Sequence, residues 1–300
     1  LNAITAVICT KDRGEEILRA AESVLASTHP NFHLLIIDQS RDEVSERALE
    51  KLRGDARLTY VRSQSVGLSR SRNEALRRAE TELVAFTDDD CSVPPDWLAT
   101  MQQVLEEYPR GALVFCNVDA GPHDGSLGFV PQYRCTGTAE YSTYTRETRG
   151  MGAGLAVRRE RVLDVGGFDE ELGAGARFSS CEDRDLVMRV MLAGHTVLTT
   201  NRTFVVHYGF RTWKQGQALT RRDYVGIGAA YAKPVRIGHW SFLPRAGEEL
   251  FTDFVLSPMS DVLRFRRPRG LSRPLYYLRG FVGGLITPLD RTHLVYIARS

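Results

Sequence analysis

Residues Ala3-Ile4-Thr5-Ala6-Val7-Ile8-Cys9 form a short apolar run, followed at once by the polar segment Thr10-Lys11-Asp12-Arg13-Gly14. A run of that length bounded by turn residues reads as a buried strand. From Glu15 to Ser27 the period changes. Ile17, Leu18, Ala21, Val24 and Leu25 recur at helical spacing, which predicts an amphipathic helix. Leu34-Leu35-Ile36-Ile37 is a second apolar run and ends on Asp38. Strand, helix and strand in this order make a βαβ unit.

The pattern continues outward. A helix follows with Val44, Ala48, Leu49 and Leu52 on one face, then a strand at Leu58-Thr59-Tyr60-Val61. A helix from Ser69 to Ala79 leads into the strand Leu83-Val84-Ala85-Phe86. Pro94-Pro95 precedes a helix from Asp96 to Tyr108, and Ala112 to Cys116 is the next strand. Such alternation predicts an α/β fold with a mostly parallel sheet covered on both faces. Ligands of such sheets bind beyond the carboxyl ends of the strands. That rule selects Thr10, Lys11 and Arg13; Asp38, Gln39 and Ser40; and Asp88, Asp89 and Asp90. The stretch from Asp119 to Gly154 reads as a long loop. Beyond it a strand is expected at Ala153 to Val157, a helix at Glu182 to Ala193, and strands at Val197 to Leu198 and Phe204 to Val206. A soft boundary falls near residue 210.

The composition is that of a globular protein, with 43% hydrophobic and 25% charged residues in 300. This excludes disordered, collagen-like and disulfide-scaffold classes. The net charge of +2 hides an asymmetry: residues 1–206 carry 24 basic and 31 acidic side chains, residues 207–300 carry 15 and 6. The five cysteines (9, 91, 116, 135 and 181) form no C-x-x-C pair, so a zinc or redox motif has no support. Dispersed thiols in odd number fit a reducing cytosol. No segment reaches the roughly 18–20 apolar residues a membrane span needs.

Three clusters carry chemistry. Asp88-Asp89-Asp90 follows a buried strand at the ligand edge. Adjacent carboxylates repel unless a cation or donors lie near, and they suit Mg²⁺ or Mn²⁺. The plainer reading is a solvated acidic turn. Glu182-Asp183-Arg184-Asp185 opens a helix. Acidic residues there complement the helix dipole, or one of them serves as a general base. His207 ends a strand; it is a structural histidine or a metal ligand. Lys11, Arg13 and Arg72 are candidate phosphate partners, and Gly67-Leu68-Ser69 could open an anion site at a helix N-terminus.

Together these segments resemble an inverting family 2 glycosyltransferase of the GT-A fold, over residues 3–210. The likeness is carried by Ala6-Val7-Ile8-Cys9-Thr10-Lys11-Asp12-Arg13, by Leu35-Ile36-Ile37-Asp38-Gln39-Ser40 and by Gly67-Leu68-Ser69-Arg70-Ser71-Arg72-Asn73. It continues in Asp88-Asp89-Asp90, which resembles the DxD metal motif, and in Gly152-Ala153-Gly154-Leu155 with Gly166-Gly167-Phe168-Asp169-Glu170. Glu182-Asp183-Arg184-Asp185-Leu186 resembles the segment that carries the catalytic base. Gln39 departs from the usual acid or amide, and Ser71 from the usual Ala; both leave the donor base open.

The resemblance implies a GT-A-type mixed, mostly parallel sheet flanked by helices, with a Rossmann-like nucleotide-binding half. Residues 1–210 would be the catalytic domain, 1–120 its nucleotide-sugar half and 121–210 its acceptor half, followed by a helical extension at 211–300. It implies a nucleotide-diphosphate sugar as donor and Mn²⁺ or Mg²⁺ as cofactor. Thr10, Lys11, Arg13, Asp38 and Arg72 would line the nucleotide pocket. Asp88 and Asp89 would lie near ribose and diphosphate, with Asp90, Asp88 and His207 at the metal. Asp183 would be the base, with Glu182 its orienter or an acceptor contact. The acceptor would be a glycan, a lipid-linked sugar or a small molecule, in cell-surface glycan synthesis.

The basic end, Arg264-Phe265-Arg266-Arg267-Pro268-Arg269 and Leu275-Tyr276-Tyr277-Leu278-Arg279-Gly280-Phe281-Val282, suits a surface helix meeting anionic lipid headgroups. A helix packed on the catalytic domain is the alternative. The expected location is cytoplasmic, peripheral on the inner face of the membrane, with no nucleic-acid partner. Two rival readings stand beside the resemblance: a haloacid-dehalogenase-like phosphotransferase using Asp88 and Asp90, and a non-catalytic binding protein with a basic C-terminal surface.

Overall fold

The computed structural model describes residues 2–265, 267–268 and 270–298. Arg266 and Arg269 of the basic segment lie outside the described residues. The chain opens with β1 (Ile4–Thr10), α1 (Glu15–Leu25), β2 (Phe32–Asp38), α2 (Val44–Ala48), β3 (Leu58–Arg62), α3 (Leu68–Arg78) and β4 (Leu83–Asp88). The short β5 (Cys91–Ser92), α4 (Trp97–Glu107) and β6 (Gly111–Ala120) follow. Next come β7 (Gly128–Phe129), β8 (Ala139–Tyr141), β9 (Leu155–Arg158), α5 (Arg159–Asp164), α6 (Glu182–Leu192), β10 (Thr196–His207) and β11 (Arg211–Thr212). The C-terminal part holds α7 (Trp213–Arg236), α8 (Leu243–Phe251), a π-helical turn, α9 (Ser257–Leu263), α10 (Arg273–Ile286), β12 (Leu289–Asp290) and β13 (Val295–Tyr296).

The central sheet runs β3-β2-β1-β4-β9-β6-β10-β5, with β8 also on β10. β1, β2, β3 and β4 are parallel neighbours, as are β6 and β10. β9 is inserted antiparallel between β4 and β6. Alternate residues of β1 feed opposite faces: Ile4, Ala6 and Ile8 join a core with α1 and α4, while Val7 joins a core with α3 and α6. Burial on both faces is why these strands read as unbroken apolar runs.

Two expectations are refined. The Asp119–Gly154 stretch is mainly irregular, but β6 extends to Ala120, and β7 and β8 pair with β11 and β10. The two strands expected near residues 197 and 204 are one strand, β10, with a register shift between Thr200 and Phe204. The exposed Asn201 and Arg202 fill that bulge and break the hydrophobic alternation. Residues beyond 210 do not stand apart. Tyr224, Ile227, Ala230 and Tyr231 of α7, with Phe242 and Ala246, belong to the same core as β4 and α6.

Candidate active site

The strand ends converge on one cleft of about 470 Å³. Thr10, Lys11, Arg13, Gln39, Asp88, Asp89, Asp90, His207 and Arg211 all line it. β1 and β4 are neighbours in parallel register, Cys9 beside Asp88, so the two polar loops that follow them meet. The Thr10 hydroxyl donates to Asp89 Oδ2 at 2.8 Å, and Arg13 Nε lies 3.3 Å from Asp89 Oδ1. Burial, only partly offset by Arg13 and Thr10, pushes the Asp89 carboxyl up to about 6.

The two-residue strand β5 decides where His207 sits. It pairs antiparallel with the end of β10, Cys91 opposite His207, and brings the imidazole to Asp90. His207 Nδ1 lies 3.0 Å from the Pro131 carbonyl. A carbonyl only accepts, so Nδ1 carries the proton of that hydrogen bond. Nε2 then faces Asp90 Oδ1 at 3.3 Å. A lone pair and a carboxylate at that distance repel unless a proton or a cation joins them. Against the effect of burial, Asp90 raises the imidazole pKa, so a proton on Nε2 can join the pair; with that proton displaced, the carboxylate oxygen and imidazole nitrogen are a donor set that fits a divalent ion. The adjoining Cys91 Sγ lies within reach of the same two groups, and burial pushes its thiol far up. Gly209 covers the pair: a Cβ there would lie 2.5 Å from His207 Nε2 and 2.6 Å from Asp90 Oδ2.

A second cluster lies behind the first. Cys181, in left-handed conformation at φ 73°, turns the chain into α6 and sets Glu182 and Asp183 in its first turn. Arg72 of α3 reaches both. Its Nη1 donates to Asp183 Oδ1 at 2.7 Å and to Glu182 Oε1 at 3.2 Å, and its Nη2 lies 3.5 Å from Asp88 Oδ1. The Gly152 N–H donates to Asp183 Oδ2 at 2.8 Å. Burial first, and the Asp183 charge second, raise the Glu182 carboxyl.

Two residues expected at the nucleotide, Arg72 and Asp38, do not line the cleft. Arg72 is buried beneath the cleft, its guanidinium 5.2 Å from the Phe168 ring; a chain of carboxylates around it draws it inward. Asp38 has no exposed surface. Its Oδ1 accepts from the Ser40 N–H and hydroxyl, and its Oδ2 from the Tyr60 hydroxyl at 2.6 Å. Gln39 faces the cleft in its place, its amide donating to Ser65 Oγ and the Gly67 carbonyl. Arg211 and Gly209 were not singled out by sequence reasoning. Their signal was position alone: both lie within four residues of His207 at a strand end.

The family model for glycosyl transferase family 2 matches residues 5–167. The chain belongs to this family. Both rival readings give way to that membership: Asp88 ends the fourth strand of a family 2 glycosyltransferase sheet, and Asp90 lies in the turn that follows. The glucosyl-dolichyl phosphate glucuronosyltransferase of Haloferax volcanii is 25% identical over 221 residues, 70% of this chain and 71% of that one. Among solved structures, Staphylococcus aureus TarS (residues 1–349) superposes with a TM-score of 0.62 at 18% identity, covering 94% of this chain and 81% of that one. The mannosyltransferase PcManGT of Pyrobaculum calidifontis, solved with GDP-Man and Mn²⁺, superposes with a TM-score of 0.63 at 19% identity, covering 94% and 87%. This family 2 glycosyltransferase has the GT-A fold, a mixed sheet flanked by helices with a helical C-terminal region.

Proposed function

We propose that this glycosyltransferase is metal-dependent and inverting, and moves a sugar from a nucleotide-diphosphate donor to an acceptor hydroxyl in cell-surface glycan synthesis. The observation that carries the reading is the His207–Asp90 pair, with Nδ1 committed to Pro131 and Nε2 turned to the carboxylate. Asp90 and His207 would hold Mn²⁺ or Mg²⁺, with Asp88 beside them. When bound, the ion supplies charge neutralisation at the leaving diphosphate. The solved mannosyltransferase with GDP-Man and Mn²⁺ supports the same class of donor and ion.

Residues 1–120 take the donor half in this reading, 121–210 the acceptor half, and 211–300 buttress both. Thr10, Lys11 and Arg13 bind the nucleotide side, with Asp88 and Asp89. Asp38 reaches the base only if Tyr60 or Ser40 releases it, which makes Gln39 the nearer reader. Asp183 accepts the proton of the acceptor hydroxyl, whose oxygen attacks the anomeric carbon as the bond to the diphosphate oxygen breaks. Glu182 and Arg72 orient Asp183. The Haloferax relative, named for a dolichyl phosphate-linked acceptor, favours a lipid-linked acceptor.

The test is nucleotide-sugar turnover across UDP, GDP and dTDP sugars, with Mn²⁺, Mg²⁺ or a chelator. Turnover that is indifferent to chelation, or a product that retains the anomeric configuration, overturns the proposal.

A further inference from the structure

The C-terminal helices bury one face and leave the other apolar. α10 is clamped to α7: a Cβ on Gly280 would lie 2.0 Å from the Val225 carbonyl oxygen, and one on Gly228 would lie 2.1 Å from that of Tyr277. So close an approach fixes which side of α10 turns outward. That side carries Leu275, Leu278, Val282 and Leu285, which are 67%, 56%, 47% and 37% exposed. Their spacing of three and four residues makes one stripe. The run from α8 to α9 repeats the pattern, with Phe251, Val255, Met259 and Val262 exposed and Phe265 fully so. Trp240 is also exposed at the start of this run. Apolar surface of this extent marks a partner site.

Charge selects the partner. Arg264, Arg267 and Arg279 lie exposed among these side chains. The acidic groups of the region are largely engaged elsewhere. Glu249 and Asp261 are buried, Asp253 accepts from the Tyr224 hydroxyl, and Asp223 accepts from the Ser180 hydroxyl. An apolar face whose exposed arginines among the described residues (Arg264, Arg267 and Arg279) outnumber its exposed carboxylates (Asp223 and Glu248) complements an anionic lipid surface. No helix among the described residues is long and apolar enough to cross a membrane, so the fit is to the interface.

Grooves border the face, and among the described residues none that lines them also lines the cleft. Two grooves of about 740 and 680 Å³ flank Tyr276 and share it with Arg221. One begins at Trp213, two residues from cleft-lining Arg211; the other includes Arg177, two residues from cleft-lining Gly175.

We propose that α10 and the α8–α9 run seat this protein on an anionic bilayer, apolar side chains inserted and arginines at the headgroups. The grooves then open toward an acceptor held in that bilayer, a purpose that rests on the transferase reading, whereas the docking itself does not. The test is co-flotation of the full chain with vesicles of phosphatidylcholine alone and of phosphatidylcholine mixed with phosphatidylglycerol. Expected is partition onto the mixed vesicles, falling roughly thirtyfold in Arg264→Gln/Arg279→Gln, about fivefold per arginine near an anionic surface. Leu278→Asp/Val282→Asp should abolish flotation while its melting temperature and its turnover with a soluble acceptor stay near those of the parent. Equal partition onto both vesicle types overturns the electrostatic part. No partition onto either, or a dimer by light scattering that Leu278→Asp/Val282→Asp dissociates, assigns the face to another copy of the chain and overturns the proposal. Because flotation needs no substrate, its failure leaves the catalytic reading standing, and loss of turnover leaves the docking standing.

Discussion

Asp183 and Asp185 stand two residues apart on α6 and are handled differently by the fold. Asp183 faces the cleft side, its side chain 19% exposed, with one oxygen on Arg72 and the other on the Gly152 N–H. Asp185 points the other way and is 1% exposed. It accepts from Arg189 Nε at 2.7 Å and Lys233 Nζ at 2.6 Å. Lys233, from α7, also pairs with Asp169, which in turn accepts from the Tyr296 N–H. Residues two apart on a helix face different neighbours, so one carboxylate keeps part of its surface exposed while the next anchors the helix. The helix that carries the proposed base is held from behind by a strand and a helix of the C-terminal third.

The comparison breaks most sharply at Asp183. Asp183→Asn should keep its melting temperature and lose about 10²–10⁴-fold in turnover; parent-like turnover would reverse the two roles. Lys233→Met tests the opposite side. It leaves Asp169 without a buried cation and Asp185 with Arg189 alone, a loss of about 3–5 kcal/mol readable as a lower denaturant midpoint. If stability is unchanged, the anchor lies elsewhere. On the cleft side, Gly209→Ala puts a methyl group against His207 and Asp90 and should weaken Mn²⁺ binding about tenfold, the lower end of what disturbing a ligand's support costs, as read by calorimetry. The smallest effect is expected at Glu182. Its carboxyl is raised, by burial and then by Asp183. Its contribution to stability is therefore fully present below the ordinary glutamate pKa and lost as pH rises through the folded value. Glu182→Gln should narrow the difference in melting temperature between acidic and neutral pH.

The sheet was legible because strands buried on both faces are apolar throughout, and β1, β2 and β4 read so without ambiguity. α6 was legible because its acidic first turn precedes a clear apolar run. β5 was not: two residues carry no periodicity, yet their pairing with β10 puts His207 beside Asp90. Arg72 reads as a nucleotide contact through the resemblance of Gly67–Asn73 to the family's corresponding segment, and it lies inside α3. Its actual partners, Glu182 and Asp183, are more than a hundred residues away in sequence, and no local pattern announces them. Lys233 is the same case: a lysine in a helix reads as solvent-facing, and only the distant Asp169 and Asp185 explain its burial.

A single guanidinium serves Asp88 on the donor side and both Glu182 and Asp183 on the other. The two sides therefore share one reservoir of positive charge. Removing Asp88 frees Arg72 to lean on Asp183, and removing Asp183 frees it to lean on Asp88. Substitutions at these two positions cannot act independently, and a double-mutant cycle should show a coupling of about 0.5–3 kcal/mol. In the proposed mechanism, each adjustment near Asp88 would alter the setting in which the acceptor hydroxyl loses its proton, so that donor choice and acceptor chemistry would change together.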